Sequence, residues 1–169
     1  MATGDTTLKY GSVGSFSFAA GLQSLASNAS GAWVGIESAA QDFTSLTPDL
    51  DAEIQMIFGI VAGAPGADKA VYLFLSSSLD GTNFTDNAGG VQGSITLNAP
   101  TPLKLANNHP VIDNSTRKRV MDVRSLRALF GEVPPQVTAI VVNTSGQAFS
   151  NGVVTCTVNY RVVYANVSP

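Results

Sequence analysis

Cysteine, histidine and charge are what this sequence has least of. Its 169 residues include one cysteine and one histidine, and charged side chains make up only 12%, about half of the ~25% usual in soluble domains. Cys156 has no partner for an internal disulfide, and it falls on the apolar face of an alternating segment, where a buried, inert thiol is expected rather than a nucleophile. Zinc needs three or four closely spaced Cys, His or carboxylate ligands, and His109 with Cys156 does not make such a set. A hydrolytic triad needs a base beside its nucleophile. His109 sits in NNHPVIDN, which reads as an exposed loop, and no Gly-x-Ser-x-Gly elbow is present. The glycine-containing stretch 59–66 lacks the Lys-Ser/Thr ending of a phosphate loop. No catalytic, cofactor-binding or metal residue is therefore expected, and no enzymatic activity.

Long hydrophobic runs are also missing. Nothing approaches the ~20 apolar residues of a membrane helix, and the opening MATGDTTLKY is too polar for a signal peptide. The expectation is synthesis in a cytoplasm with no membrane partner. Five N-x-S/T triplets, starting at Asn28, Asn83, Asn114, Asn143 and Asn166, then follow from composition alone. The net charge of −3 gives no overall nucleic-acid signal.

What the chain does have is two-residue alternation. In GVVTCTVNYRVVYAN, positions Val154, Cys156, Val158, Tyr160, Val162 and Tyr164 share one face, while Thr155, Thr157, Asn159 and Arg161 share the other. That is the pattern of a half-buried strand. Further strands are expected over 14–20, 32–40, 52–62, 70–77, 94–97, 101–105 and 136–143. Of these, 70–77 and 136–143 are apolar on both faces and so central. SLRALF, 125–130, reads as a short helical turn stopped by Gly131 and Pro134-Pro135. About eight strands with turn signals every 8–15 residues point to an all-β, antiparallel β-sandwich, jelly-roll-like, with one or two short helical turns. The expected core includes Phe58, Phe74, Val141, Val158 and Tyr160. Residues 1–13 read as a polar N-terminal arm lying on a neighbouring subunit, and 14–169 as one sandwich domain.

Three features could carry binding. Arg117, Lys118, Arg119, Arg124 and Arg127 are five of the nine basic residues, gathered within eleven positions. No aromatics interleave with them, so they suit an acidic protein neighbour, or a solvated loop, better than nucleic acid. Asp80, Asn83, Asp86 and Asn87 supply oxygens, but without EF-hand order, and Asp-Gly-Thr-Asn is ordinary turn chemistry. Trp33 and Phe84 are candidates for an exposed aromatic platform of the kind that binds carbohydrate, although core packing suits Trp33 better.

The segments LQSLASNASGAW, VYLFLSSSLDGTNFTDN and VTAIVVNTSGQAFSNGVVTCTVNYRVVY resemble a family of small virion proteins of tailed bacteriophages, over about two thirds of the chain. The shared motifs are strand and turn patterns rather than functional residues. The resemblance implies a jelly-roll-like head protein, either a capsid decoration (cement) protein or a head-fibre base, without catalytic residues or cofactors. Its partners would be the major capsid protein and sister subunits, with a homotrimer expected, and its place the virion, assembled in the host cytoplasm. The alternative is a carbohydrate-binding or host-attachment β-sandwich module, a tail or head fibre component.

Overall fold

The structure is a computed structural model, and it describes residues 6–19, 22–29, 31–44, 51–66, 69–98, 100, 102–113 and 115–167. Eleven strands and one short helix are assigned among these residues: β1 (Thr6–Ser15), β2 (Val34–Glu37), β3 (Gln41–Asp42), β4 (Asp51–Phe58), β5 (Ala70–Ser78), β6 (Gly93–Thr96), β7 (Lys104–Pro110), β8 (Arg119–Val120), β9 (Arg124–Ser125), α1 (Leu126–Phe130), β10 (Gln136–Asn143) and β11 (Thr157–Val167). The alternation decides the inward faces. Along β4 the residues Ala52, Ile54, Met56 and Phe58 are buried, and Asp51, Glu53, Gln55 and Ile57 between them are not.

Two antiparallel sheets result. One runs β1-β11-β4-β8, with β9 also paired to β4, and the other runs β6-β2-β10-β5-β7, with β3 on β10. Setting aside β3, β6 and β9, the chain passes from one sheet to the other at every connection except β5 to β7. This is the eight-stranded, two-sheet connectivity of a jelly roll. β5 and β10 lie in the middle of their sheet, paired over eight residues, as their two-sided apolar sequences require.

The space between the sheets holds Phe58, Met56, Leu73, Val141, Phe149 and Val158, with Tyr160 packed at its margin. The Tyr160 ring lies over Gly14, where any Cβ would overlap it. There it meets Phe16 and Phe43 edge-on, each with centroids 5.5 Å away. A second apolar cluster lies on the outer face of the β10-β5 sheet. Phe74 and Ile140 are directly paired, and they pack with Ala88, Ile95, Leu97 and Leu103. The chain between β5 and β7 thus folds back over its own sheet. Glu37 clamps this cover: its buried carboxylate accepts the Gly89 and Gly90 N–H groups at 3.0 and 2.6 Å. Trp33 belongs to this cluster, edge-on to Tyr72 at 5.3 Å. Phe84 packs there too, so neither is a free-standing platform.

Two expectations change. The polar segment assigned to an arm is, from Thr6 onward, the edge strand β1, paired with β11 from Thr6↔Val167 to Ser15↔Asn159 with a bulge between Tyr10 and Val13. An edge strand pairs on one side only, so TTLKYGSVGS can be polar and still lie in the sheet. Residues 1–5 of the expected arm lie outside the described residues. The second change is NNHP, expected as an exposed loop. It is the end of β7, where Val71 pairs with His109. The imidazole is half-buried, edge-on to Phe58 with centroids 5.4 Å apart. Burial, and then the Arg119 and Arg117 cations, hold its pKa below the ordinary value.

Candidate functional site

The basic run is taken apart by the fold. Arg119 pairs through β8 with Phe58, and its side chain is nearly covered, at 5% residue exposure. Its guanidinium donates to Asp113 Oδ1 at 2.8 Å and to the carbonyls of Ser115 and Arg117, each at 3.2 Å. Burial pulls the Arg119 pKa down and Asp113 opposes this. Asp113 is itself held below the carboxylate range, first by hydrogen bonds from Ser115. Arg119 is thus a structural strut, not part of a docking surface. Arg117 also reaches Asp113, at 2.6 Å, but stays largely exposed. Arg124 donates to the Ala106 carbonyl at 3.1 Å. Arg127 lies exposed on α1, whose first turn is tied down by Asp51, which accepts the Arg127 N–H at 3.0 Å. Lys118 is exposed. The five cations therefore occupy one sheet edge and its two ends rather than a single patch.

Arg117 and Lys118 sit at the end of the sandwich where the loops after β4, β7 and β10 meet. Val61 N–H bonds the Ala148 carbonyl there at 2.9 Å, and the Gln147 amide bonds the Asp113 carbonyl at 3.3 Å. At Gly146 the chain takes a positive φ of 84° and passes so close to Gly66 that a Cβ would overlap the Gly66 and Pro65 backbone. Large apolar side chains on these loops are exposed: Ile112 to 77%, Val153 to 70% and Val61 to 48%. An open depression of about 400 Å³ lies here, lined by Ile57, Lys118, Val153, Val154, Thr155 and Thr157. The sequence pattern did not mark these residues as exposed: Val61 and Val153 fall inside segments expected as strands, and Ile112 follows Val111 in NNHPVIDN.

The oxygen-rich turn is satisfied from within. Asp80 Oδ1 accepts the N–H groups of Thr82 and Asn83, both at 2.9 Å, and the Ser78 hydroxyl at 2.8 Å, while Oδ2 accepts the Asn83 amide at 2.6 Å. These bonds, the backbone ones first, hold the Asp80 carboxyl far below its usual range. No group of three or more His, Cys, Asp or Glu residues able to hold a metal occurs among the described residues. Cys156 is buried, and burial raises its thiol pKa.

The outer face of the β1-β11-β4-β8 sheet, unlike that of the other sheet, carries no covering cluster among the described residues. Its middle rungs are polar: Asn159 is paired with Gln55 and Arg161 with Glu53. Arg161 Nε donates to Glu53 Oε2 at 2.5 Å and lies over the Tyr10 ring, 4.3 Å from its centroid. Compared with known proteins, the chain matches no protein-family model, no curated protein and no solved structure.

Proposed function

We propose that this chain is a non-enzymatic structural subunit of a virus particle, a decoration or cement protein seated on the head lattice of a tailed bacteriophage. The observation that carries the reading is the loop end of the sandwich. Ile112, Val153 and Val61 are exposed on the loops of that end, and Val153 shares an open depression with Lys118, in a protein whose charged fraction is only 12%. Large aliphatic side chains held out from ordered loops are costly in water and are stabilised by burial against a neighbour, at about 1.5–3 kcal/mol for each one fully covered. The flanking cations suit acidic groups on the coat protein. Support also comes from the jelly roll itself, two antiparallel sheets packed face to face, and from the family resemblance of its strand and turn segments.

In this proposal the major capsid protein and sister copies are the partners, and the assembled state is a homotrimer on the virion. A mass-spectrometric inventory of purified particles tests it. A cement protein would be present at a copy number matched to the lattice. A copy number of a few per particle would indicate a tail or fibre component instead, and absence from particles would overturn the proposal.

A further inference from the structure

Independently of that reading, we propose that the open groove on the outer face of the β1-β11-β4-β8 sheet binds a short neutral saccharide. The groove has a volume of about 230 Å³, and Val13, Val123, Glu53, Gln55, Asn159 and Arg161 are among the residues that line it. Four of these side chains end in planar polar groups, set in two adjacent cross-strand rungs of one rigid ladder, Asn159 beside Gln55 and Arg161 beside Glu53.

A pyranose presents neighbouring hydroxyls, each both donor and acceptor. Planar amide, carboxylate and guanidinium groups bind such pairs two atoms at a time. The ladder supplies both kinds of partner. The Gln55 side chain makes no hydrogen bond among the described residues, so its carbonyl and amino ends are free for a ligand. Asn159 Oδ1 already accepts the Ser15 hydroxyl at 2.8 Å, which fixes the amide and leaves its NH₂ to donate. Glu53 has a second carboxylate oxygen beyond the one bonded to Arg161.

The apolar parts fit the same ligand. Val13 and Val123 form the two walls, and both are exposed. At the Arg161 end the Tyr10 ring stands 54% exposed, steadied by the guanidinium over it. Tyr10 stands beyond the groove's lining and holds Arg161 in place, while the aliphatic walls face the C–H surface of a sugar ring and the planar polar groups its hydroxyl edge. The charge argument selects the class. Glu53 and Arg161 are paired within the groove and cancel, leaving no net charge to attract a sialic or uronic acid. The volume lies below the ~300–1,000 Å³ of pockets that enclose drug-sized ligands, as suits a saccharide lying along an open groove.

The test is titration of the ¹⁵N-labelled protein with maltotriose, N-acetyllactosamine and N,N′,N″-triacetylchitotriose, each taken to about 10 mM. At least one should shift the backbone amides of residues 53–55 and 159–161. Gln55→Ala and Tyr10→Ala, both at exposed or half-exposed positions, should each weaken that binding by about tenfold while leaving the rest of the spectrum unchanged. If none of the three sugars shifts those amides, the inference fails. It also fails if both variants bind like the parent, which would put the sugar elsewhere, or if 3′-sialyllactose binds more tightly than every neutral sugar. None of these outcomes depends on whether the protein is found on particles.

Discussion

Arg119 shows how one side chain can look like a contact residue in sequence and be a strut in the fold. Its buried guanidinium joins Asp113, Ser115 and Arg117 into the loop before β8. Removing one partner of a covered, hydrogen-bonded charge is costly, because several bonds go at once. Arg119→Ala should lose about 2–4 kcal/mol in urea unfolding, whereas Lys118→Ala should stay within about 0.5 kcal/mol of the parent. Equal losses would show that the guanidinium is not the anchor. Glu37 gives a second, pH-dependent expectation. Burial raises its pKa above 4.5, against the bonds from Gly89, Gly90 and Thr138. The folded state thus holds this proton more tightly than the unfolded one. Its contribution is fully present below the ordinary value and is lost as pH rises through the raised one. Asp113, with a lowered pKa, has the opposite sign and loses its contribution only as pH falls. In melts recorded from about pH 4 to 7, Glu37→Gln should gain on the parent as pH rises. A difference between the two that is constant with pH would contradict this assignment.

Elements differ in how plainly the sequence announces them, and the reason is the number of covered sides. β4, β5, β10 and β11 are covered on at least one face and paired on both edges, so their apolar positions repeat; these strands and the core residues Phe58, Phe74, Val141 and Val158 were legible, although β4 stops at Phe58 rather than 62 and β11 begins at Thr157 rather than 152. α1 was legible from its stop signals, and the fold adds Ser125 as its N-cap and a left-handed Gly131 as its C-cap. β1, β7, β8 and β9 were not legible as they stand. They pair at sheet edges or over only two residues, where Lys9, Asn107 and Arg124 meet solvent or make single bonds, and no period develops. The groove was hidden for another reason: its lining residues come from strands or strand ends spread between residues 13 and 161. β1 carries its own prediction. Deletion of residues 2–12 reads in sequence as loss of an arm that leaves the sandwich intact. The pairing of Thr6 to Tyr10 with β11 means that it would instead strip most of an edge strand and bare the backbone of β11. The truncated protein should melt at lower temperature and aggregate through that edge. An unchanged melting temperature would mean that β1 adds nothing to the sheet.

For the whole molecule, the proposed seat on a head lattice raises the question of which forces would hold it there, and magnitudes decide between the two candidates at its loop end. Exposed ion pairs made by Arg117 or Lys118 would contribute only about 0–1 kcal/mol each, and Arg117 is already engaged by Asp113. Covering Ile112 and Val153 would contribute about 1.5–3 kcal/mol each. The apolar pair should therefore dominate, with the cations orienting the approach and adding salt sensitivity. The contrast requires that Arg119 be left in place, since neutralising it with Arg117 and Lys118 would loosen β8 and confuse folding with attachment. Two double variants make the comparison: Ile112→Asp with Val153→Asp, and Arg117→Gln with Lys118→Gln. Both sets of residues are exposed, so both proteins should fold with the parent's circular dichroism. On particles, the aspartate pair should reduce occupancy strongly at every salt concentration. The glutamine pair should bind nearly as the parent does at low salt and release somewhat earlier as salt rises, an effect multiplied over many copies. If the aspartate variant stays folded and occupies particles like the parent, the protruding aliphatic residues face solvent in the assembled state, and the contact with the lattice is made by another part of the surface.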